Sequence, residues 1–219
     1  MFLRLLSFII PINVFKIKSE ISKTIEVTWV NGELVLDTEN TNYSYGSLQR
    51  ILKIGLKEIG FEKIRSMQSI LILGVAGGSV IKTLSDEIKF KGNITGVEID
   101  EKIIKIANDY FELNKIQNLK IIIEDAYRFV LKTENKYDLV VIDIFEDNKM
   151  PHFLYEKFFI EKIKFLLNIS GVIVFNTMIL NNDYQNNLYY KKQFDSTLFK
   201  SISIPNLENF NELIITEKL

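Results

Sequence analysis

The fold is decided by the stretch Ser69-Ile70-Leu71-Ile72-Leu73-Gly74-Val75-Ala76-Gly77-Gly78-Ser79. Residues 70–73 are apolar without interruption, which is typical of a strand buried on both faces of a parallel sheet. The glycines that follow indicate a tight turn, and the apolar spacing from Val80 onward predicts a helix. Such a junction leaves backbone N–H groups at the helix start open to a ligand. The alternative is that the glycines serve only tight packing of the turn.

Downstream of this stretch the chain alternates between predicted strands and predicted helices. The strands are predicted at residues 70–73, 93–98, 120–123, 139–142 and 172–176, and the helices at 79–89, 101–112, 126–133 and 155–167. Repeated β–α units of this length predict an α/β fold with a doubly wound parallel sheet and right-handed crossovers. After a predicted polar loop at 181–187, strands at 199–204 and 212–216 are expected to form an antiparallel hairpin.

Upstream, the sequence predicts a small N-terminal unit. Residues 24–30 alternate between polar and apolar, Asn31-Gly32 is a strong hairpin-turn signal, and residues 33–36 form the return strand. A polar loop at 37–42 leads to residues 47–59, where apolar residues at helical spacing predict a helix that ends near Gly60. We therefore predict a hairpin-and-helix unit at 1–62, joined through 61–67 to a main domain at 63–219.

Composition excludes several kinds of site. The 219 residues include 27 Lys and Arg against 28 Asp and Glu, so the charge balance gives no electrostatic footprint for nucleic acid. The absence of cysteine excludes disulfides, thiolate nucleophiles and Cys-ligated metals. The single histidine, His152, excludes a His-rich metal site and is interpreted as a loop residue rather than a base. We predict no nucleic-acid partner and no metal.

The first eleven residues are strongly apolar, with Arg4 followed by a run that ends at Pro11. This run lacks a small-x-small cleavage site and is too short to span a bilayer. It is interpreted as a docking helix or a partner-facing segment, with peripheral membrane contact and an export signal as alternatives. We predict a cytoplasmic protein without a transmembrane segment.

Acidic residues follow three successive predicted strands after the glycine turn. Glu98 and Asp100 end the second strand of the sheet, Asp125 the third and Asp143 the fourth. Ligands of open α/β sheets bind outside the carboxyl ends of the strands, near the point where strand order reverses. Glu98 lies about twenty positions after the glycine turn, where a carboxylate can accept both hydroxyl hydrogens of a ribose. The set predicts a nucleoside-binding cleft, in which Asp125 could accept from the amino group of a base.

Each of these residues also has a structural interpretation. Asp100 and Asp125 could cap the helices that follow them, Glu98 could be solvated, and Asp143 could have a purely structural role. The glycine spacing is not G-x-G-x-x-G, which disfavours a nicotinamide cofactor, and no G-K-[ST] follows, which excludes a P-loop.

These segments resemble the class I S-adenosylmethionine-dependent transferases, and within them the spermidine synthase-like branch. Residues 74–79 are similar to the family's G-G-D-G-G-T turn, 96–100 to its G-V-E-I-D strand end, and 137–143 to its Y-D-V-I-I-x-D strand. Residues 43–48 are similar to its F-x-Y-H-E-M segment, and the hairpin ending at 36–37 to its N-terminal β unit. The resemblance covers nearly the whole chain. It implies a mostly parallel, seven-stranded, Rossmann-like methyltransferase sheet and a homodimer.

The resemblance also implies roles for individual residues. The glycine turn would approach the methionine portion of S-adenosylmethionine or its decarboxylated form, Glu98 would hold the ribose, and Asp125 would meet the adenine amino group. Asp143 would orient an attacking amine and accept its proton, and Tyr45 matches the family's active-site tyrosine. The full set implied for the cofactor is Gly74, Ala76, Gly77, Gly78, Glu98, Ile99, Asp100, Asp125 and Ala126, with Glu146 and Asp147 as weaker candidates for substrate binding.

The sequence departs from the family pattern both where the amine of the decarboxylated cofactor is expected and where the acceptor is expected. Ala76 replaces the Asp of the glycine turn, Gly46-Ser47 replaces the His-Glu pair, and Lys23 stands where the family carries Gln. A dicationic diamine needs carboxylates at both ends of its slot. We therefore expect methyl transfer to a small acceptor, with aminopropyl transfer to a polyamine-like amine as the alternative. A non-catalytic nucleoside-binding homologue is a further alternative.

Overall fold

Two β-sheets organise the chain. The computed structural model describes residues 2–38, 42–145, 149–180 and 183–219, with only the backbone at 42 and 43. The first sheet has the order β1-β2-β3-β4, and its strands are β1 (Ile12–Ser19), β2 (Lys23–Val30), β3 (Glu33–Thr38) and β4 (Asn42–Ser44). The strands of the second sheet are β5 (Ser69–Leu73), β6 (Asn93–Glu98), β7 (Leu119–Ile123), β8 (Tyr137–Ile142), β9 (Leu167–Met178), β10 (Phe199–Leu207) and β11 (Asn211–Lys218).

Helices connect and cover these strands. They are α1 (Phe2–Leu6), α2 (Gly46–Ile59), α3 (Phe61–Ser66), α4 (Ser79–Lys82), α5 (Glu101–Phe111), α6 (Ala126–Lys132), α7 (Lys157–Leu166) and α8 (Asp183–Lys192). Helix α4 continues as a π-helical turn, Thr83–Ile88, and short 3₁₀ turns lie at Leu113–Lys115 and His152–Tyr155. Within the described residues, no helix has the length and apolar character needed to cross a membrane.

The second sheet has the order β10-β11-β9-β8-β5-β6-β7. Strands β5 to β9 pair in parallel, and β11 pairs antiparallel with both β9 and β10. The predicted α/β fold is confirmed: a doubly wound, mostly parallel, seven-stranded Rossmann-like sheet with a C-terminal hairpin. The chain leaves β5 toward β6 and later returns to β8 on its other side, so the strand order reverses at the carboxyl end of β5.

The core lies on both faces of this sheet. One face packs side chains such as Ile72, Val141 and Val174 against α2, and the other packs Leu73, Ile142 and Phe175 against α7 and α8. Helix α2 approaches the sheet closely at Gly55, where a Cβ atom would lie 3.1 Å from the side chains of Val174 and Leu213. Because the sheet is covered on both faces, its central strands are continuous runs of apolar residues.

The predicted N-terminal hairpin is present, with Asn31-Gly32 at the turn between β2 and β3, but the sheet is larger than expected. A register shift between Asn13 and Phe15 puts a bulge in β1, which breaks the alternation that would have indicated the strand. Residues 37–38 belong to β3 rather than to a loop, and residues 39–41 lie outside the described residues. Ile25, Val27 and Leu36 pack against α5. The division at 62/63 stays a prediction.

Two connecting segments are helical, and the predicted loop at 181–187 is wrong for that reason. The expected linker at 61–67 contains α3, whose Ile64 is fully buried in the main core. The expected loop at 181–187 contains the first half of α8, while 181 and 182 lie outside the described residues. Helix α8 was not predicted because it has no apolar stripe. Of its side chains, only those of Asn187 and Tyr190 are buried.

The apolar N-terminal segment begins with a short helix fixed to the first sheet. The Arg4 side chain donates to the Gly32 carbonyl, and the buried Ser7 hydroxyl accepts from the Gly32 amide. This anchoring holds large apolar side chains out from the surface, namely Phe2, Leu3, Leu5, Phe8, Ile9 and Ile10.

Candidate functional site

A cavity of about 990 Å³ opens at the carboxyl ends of the parallel strands, where strand order reverses around β5. Its volume is that of an ordinary cofactor or substrate site. The cavity wall brings together seven of the predicted site residues, which are Gly74, Ala76, Glu98, Ile99, Asp125, Ala126 and Asp143. The prediction from the strand ends therefore located the cavity and these seven residues of its lining.

The glycine turn closes one side of the cavity. Gly74 has a φ of 87°, and a Cβ atom there would collide with the carbonyl oxygen of Asp143, so this position requires glycine. Gly77 and Gly78 do not line the cavity. A Cβ at Gly77 would meet Ser44 and Tyr45, and one at Gly78 would meet Leu113, so the missing side chains allow packing behind the turn.

Glu98 is 5% exposed and holds the glycine turn through its carboxylate. Oε2 accepts from the Val75 and Ala76 amides at 3.1 and 3.0 Å, and Oε1 accepts from the Ile99 and Asp100 amides at 2.9 and 3.1 Å. Burial raises the pKa of Glu98, and the four backbone donors act in the opposite direction. The carboxylate lies where a ribose is predicted, but its four acceptor sites already serve the backbone.

Asp125 and Asp100 both cap helices, as their alternative interpretation predicted. The Asp125 carboxylate accepts from the Arg128 amide at 2.9 Å while lining the cavity beside Ile99 and Ala126. Asp100 accepts from the Lys102 amide and from the hydroxyls of Ser19 and Ser22. Asp100 does not line the cavity, because its carboxylate joins the N-terminal sheet to α5.

Asp143 is the predicted acid that lies directly on the cavity wall beside the glycine turn. Its Oδ1 accepts from the Asn176 side-chain amide at 2.8 Å, and its backbone amide donates to the Leu73 carbonyl. The pKa of Asp143 is raised to about 7: burial raises it most, the hydrogen bond from Asn176 lowers it, and the nearby Glu98 charge adds to the rise. A carboxyl group with this pKa can exchange a proton near neutral pH.

Tyr45, predicted as an active-site tyrosine, braces the glycine turn from behind. Its hydroxyl donates to the Gly77 carbonyl at 3.1 Å, and its ring stacks on Phe111 with centroids 4.4 Å apart. Burial and the charge of Asp86 raise the pKa of Tyr45 above its ordinary value. The ring is absent from the cavity lining, so the hydroxyl contacts the turn rather than the cavity.

The opposite side of the cavity is formed by α2 and the C-terminal hairpin. Leu48 and Ile51 of α2, together with Met178 and Leu180, give the cavity lining apolar surface. Glu208, in the turn between β10 and β11, lines the same side and pairs with Arg50 of α2 at 2.9 Å. Glu146 and Asp147 lie outside the described residues.

Lys149 and Asn211 line the cavity and were missed by sequence reasoning, whereas Lys23 was noted as a departure from the family pattern and Phe153 as part of an aromatic cluster that could wall an acceptor pocket. Lys23 and Lys149 place cationic side chains on the wall, and Phe153 adds an aromatic surface, packed edge-on against Tyr127 and Phe159. The run of aromatic residues near 153–159 was the signal for Phe153. His152 is not part of the lining, and its side chain is 90% exposed. Asn211, which also lines the cavity, gave no signal in the sequence.

Comparison with known proteins identifies the family. The family model described as "Spermine/spermidine synthase domain" matches residues 51–206. The polyamine aminopropyltransferase of Vibrio vulnificus (strain CMCP6) is 31% identical over 153 residues, which is 68% of this chain and 50% of that protein. The chain belongs to the spermine/spermidine synthase family, and this match spans about half the length of the Vibrio relative.

Solved structures share the fold at lower identity. A probable spermidine synthase from Corynebacterium glutamicum superposes with a TM-score of 0.69 at 16% identity, covering 94% of this chain and 79% of that one. Human methyltransferase-like protein 13, in complex with SAH, has a TM-score of 0.66 at 19% identity, covering 80% of this chain and 83% of that one. At these identities the likeness concerns the fold alone.

Proposed function

We propose that this member of the spermine/spermidine synthase family is an aminopropyltransferase. It would transfer the aminopropyl group of decarboxylated S-adenosylmethionine to an amine of a polyamine-like acceptor. One observation carries the proposal: the Asp143 carboxyl lies on the cavity wall beside the glycine turn, and its pKa is raised to about 7. The named activity of the Vibrio relative favours aminopropyl transfer over the methyl transfer expected from the sequence departures.

The donor fits the half of the cavity built by the strand ends. Ile99 is 44% exposed and offers an apolar surface to an adenine ring, and Asp125 lies next to it with its Oδ1 on the Arg128 amide. We propose that ribose hydroxyls approach Glu98 and share its carboxylate with the turn amides. Gly74 and Ala76 would contact the methionine-derived portion of the donor.

Asp143 would supply the proton chemistry. The donor supplies a sulfonium-bound methylene carbon; a new N–C bond forms to it as the C–S bond breaks, and the bonding pair goes to sulfur. The acceptor nitrogen needs a free electron pair and loses one proton in the reaction. The Asp143 carboxylate is the group positioned to take that proton and to hold the nitrogen in line.

The opposite side of the cavity would hold the acceptor. Its apolar wall, formed by Leu48, Ile51 and Met178, suits the methylene chain of a polyamine. Glu208 lies on the same side and could face the distal ammonium group, although it also pairs with Arg50. Glu208 comes from the hairpin turn. The acids that the family carries at the glycine turn and after the active-site tyrosine are replaced in this chain by Ala76 and Ser47.

Methyl transfer is the second candidate, and Ala76 is the observation that favours it. The residue lining the cavity at the family's Asp position carries no charge, so it would not repel the carboxylate of intact S-adenosylmethionine. Lys23 and Lys149 also line the cavity, and their positive charges would favour the carboxylate of intact S-adenosylmethionine.

The test incubates purified protein with putrescine and either decarboxylated or intact S-adenosylmethionine. Mass spectrometry would detect spermidine with methylthioadenosine, or a methylated amine with S-adenosylhomocysteine. Spermidine formed by the wild type and lost in Asp143→Asn is the expected result. Methylated product alone would replace the proposal by methyl transfer, and thermal stabilisation by either donor without product would favour a non-catalytic homologue.

A further inference from the structure

Two asparagine side chains connect the acceptor side of the cavity to Asp143. Asn176, at the end of β9, donates from Nδ2 to Oδ1 of Asp143 at 2.8 Å. Asn211, at the start of β11, donates from Nδ2 to Oδ1 of Asn176 at 3.0 Å. Asn176 is fully buried and Asn211 lines the cavity, so the chain of hydrogen bonds runs from the cavity wall through the sheet to the acid.

Sheet register places the three residues together. Ile142 is paired with Phe175 in the parallel β8–β9 ladder, so Asp143 and Asn176 follow as neighbours at the strand ends. In the antiparallel β9–β11 ladder, Asn211 is opposite Met178, and Met178 shares a face with Asn176 because side chains alternate. The Asn211 side chain therefore reaches Asn176 diagonally across the ladder.

The Asp143 carboxylate, which can only accept, and the contact from Asn211 together fix which end of the Asn176 amide meets Asp143. A carboxamide has a donating NH₂ group and an accepting oxygen of nearly equal size. Because Asn211 donates to the oxygen of Asn176, the NH₂ group of Asn176 is the end left for the carboxylate. The reverse orientation would put an oxygen against the carboxylate and an NH₂ group against an NH₂ group, with both contacts repulsive.

We propose that Asn176, oriented by Asn211, is a positioning residue that fixes Oδ1 of Asp143 and thereby presents Oδ2 to the acceptor amine. The inference rests on the proposed function for the identity of the acceptor. The contact between Asn176 and Asp143 does not depend on it. Leucine at 176 would leave a carboxylate in an apolar setting without its donor, and aspartate would place a second acid against it.

The direction of the electrostatic effect agrees with this role. Burial and the charge of Glu98 raise the pKa of Asp143, and the hydrogen bond from Asn176 is the contribution that lowers it. Removing the Asn176 donor therefore leaves Asp143 protonated to a higher pH, and a protonated carboxyl cannot take the proton of the acceptor.

The experiment compares Asn176→Leu and Asn211→Ala with a matched control, Thr177→Val. Thr177 is the next residue on β9, is equally buried, and points to the other face, where its hydroxyl contacts Tyr155 and Asn187. We measure the pH dependence of kcat/KM for aminopropyl transfer. In Asn176→Leu we expect the acid limb to move up by about one pH unit, with a roughly fivefold lower rate at pH 7, where the wild-type carboxyl is about half deprotonated.

Asn211→Ala should move the acid limb in the same direction by a smaller amount, because the Asn176 donor remains but its orientation is no longer fixed. Thr177→Val should leave the limb where it is in the wild type. An unmoved limb in Asn176→Leu would overturn the proposal. Circular dichroism checks that each variant folds. If Asn176→Leu does not fold, the acid limb of Asn211→Ala is the test, and an unmoved limb in that variant would overturn the proposal.

A second readout separates this inference from the proposed function. The carboxyl ¹³C resonance of Asp143, assigned by its loss in Asp143→Asn, is titrated in the ligand-free protein. A higher titration midpoint in Asn176→Leu and Asn211→Ala, but not in Thr177→Val, supports the positioning role even if no aminopropyl transfer is found. Equal midpoints in all four proteins would overturn the role even if the enzyme is active.

Discussion

The cavity has two proposed halves, and each contains an acid that is held in a different way. On the proposed donor side, Glu98 is the last residue of β6 and accepts four hydrogen bonds, all from backbone amides. On the acceptor side, Asp143 follows β8 and accepts one side-chain hydrogen bond, from Asn176. Both strands flank β5, so the two acids occupy comparable places in the sheet.

This difference separates an acid whose oxygens all serve the backbone from an acid that keeps an oxygen for a ligand. Backbone amides cannot be removed by substituting a side chain. The proposed donor half therefore depends on the geometry of the turn and on glycine at position 74, and the glycine motif in the sequence indicates both. Within the described residues, Asn176 is the only side-chain donor to Asp143, which leaves that carboxyl with an oxygen to use in chemistry. The proposed acceptor half therefore depends on individual side chains.

The substitution Asp143→Asn should have the largest effect on activity. Loss of the proton acceptor should lower kcat/KM for aminopropyl transfer about 10²–10⁴-fold, because that is the usual contribution of a general base. Circular dichroism should show an unchanged fold, since asparagine is isosteric and the Asn176 amide can bond to its carbonyl oxygen. Turnover within about threefold of the wild type would remove Asp143 from the mechanism.

Asp143 should also make stability depend on pH. Its folded-state pKa of about 7 lies above the value near 3.9 of an unfolded aspartate, so the folded state binds more protons between these values. The free energy of unfolding should fall as the pH rises through this window, by about 2–4 kcal/mol relative to Asp143→Asn. Urea titrations of both proteins at pH 4.5 and 7.5 measure this; parallel changes would contradict the raised pKa.

Glu98→Gln tests the donor half. The introduced amide NH₂ would face backbone N–H groups and leave buried donors without an acceptor, which should lower the free energy of unfolding by about 1–3 kcal/mol. Glu124→Gln is the control, since its exposed ion pair with Lys132 should contribute less than about 1 kcal/mol. Equal urea midpoints for both variants would show that the turn does not need the carboxylate.

Glu208→Gln should have the smallest effect. If Glu208 faces the distal ammonium of a diamine, its loss should raise KM for putrescine about two- to fivefold and leave kcat unchanged, because the group is remote from the reacting nitrogen. Arg50→Gln serves as the comparison, since it breaks the same ion pair but keeps the acid. A KM that rises equally in both variants would attribute the effect to the ion pair rather than to the acceptor.

Sequence reasoning found the donor half more completely than the acceptor half. Gly74, Glu98 and Asp125 each lie at or just after the end of a strand, so local order along the chain was enough to place them together, and the same reasoning found Asp143 on the proposed acceptor side. Asn176 and Asn211 are 35 residues apart and meet only through the register of an antiparallel ladder, which no local pattern encodes. Tyr45 carried the family motif, but its contact with Gly77 depends on how the two sheets pack.

The position of β11 has a consequence for synthesis. This strand lies between β9 and β10, and its Leu213 and Ile214 are fully buried. The ribosome releases β11 after both neighbours, so a nascent chain holds β9 with an unpaired edge until residues 211–218 emerge. Asn211 arrives with the same strand, so closure of the sheet and completion of the contact to Asn176 occur together. We expect a ribosome-stalled chain ending before residue 211 to bind chaperones that recognise open strand edges.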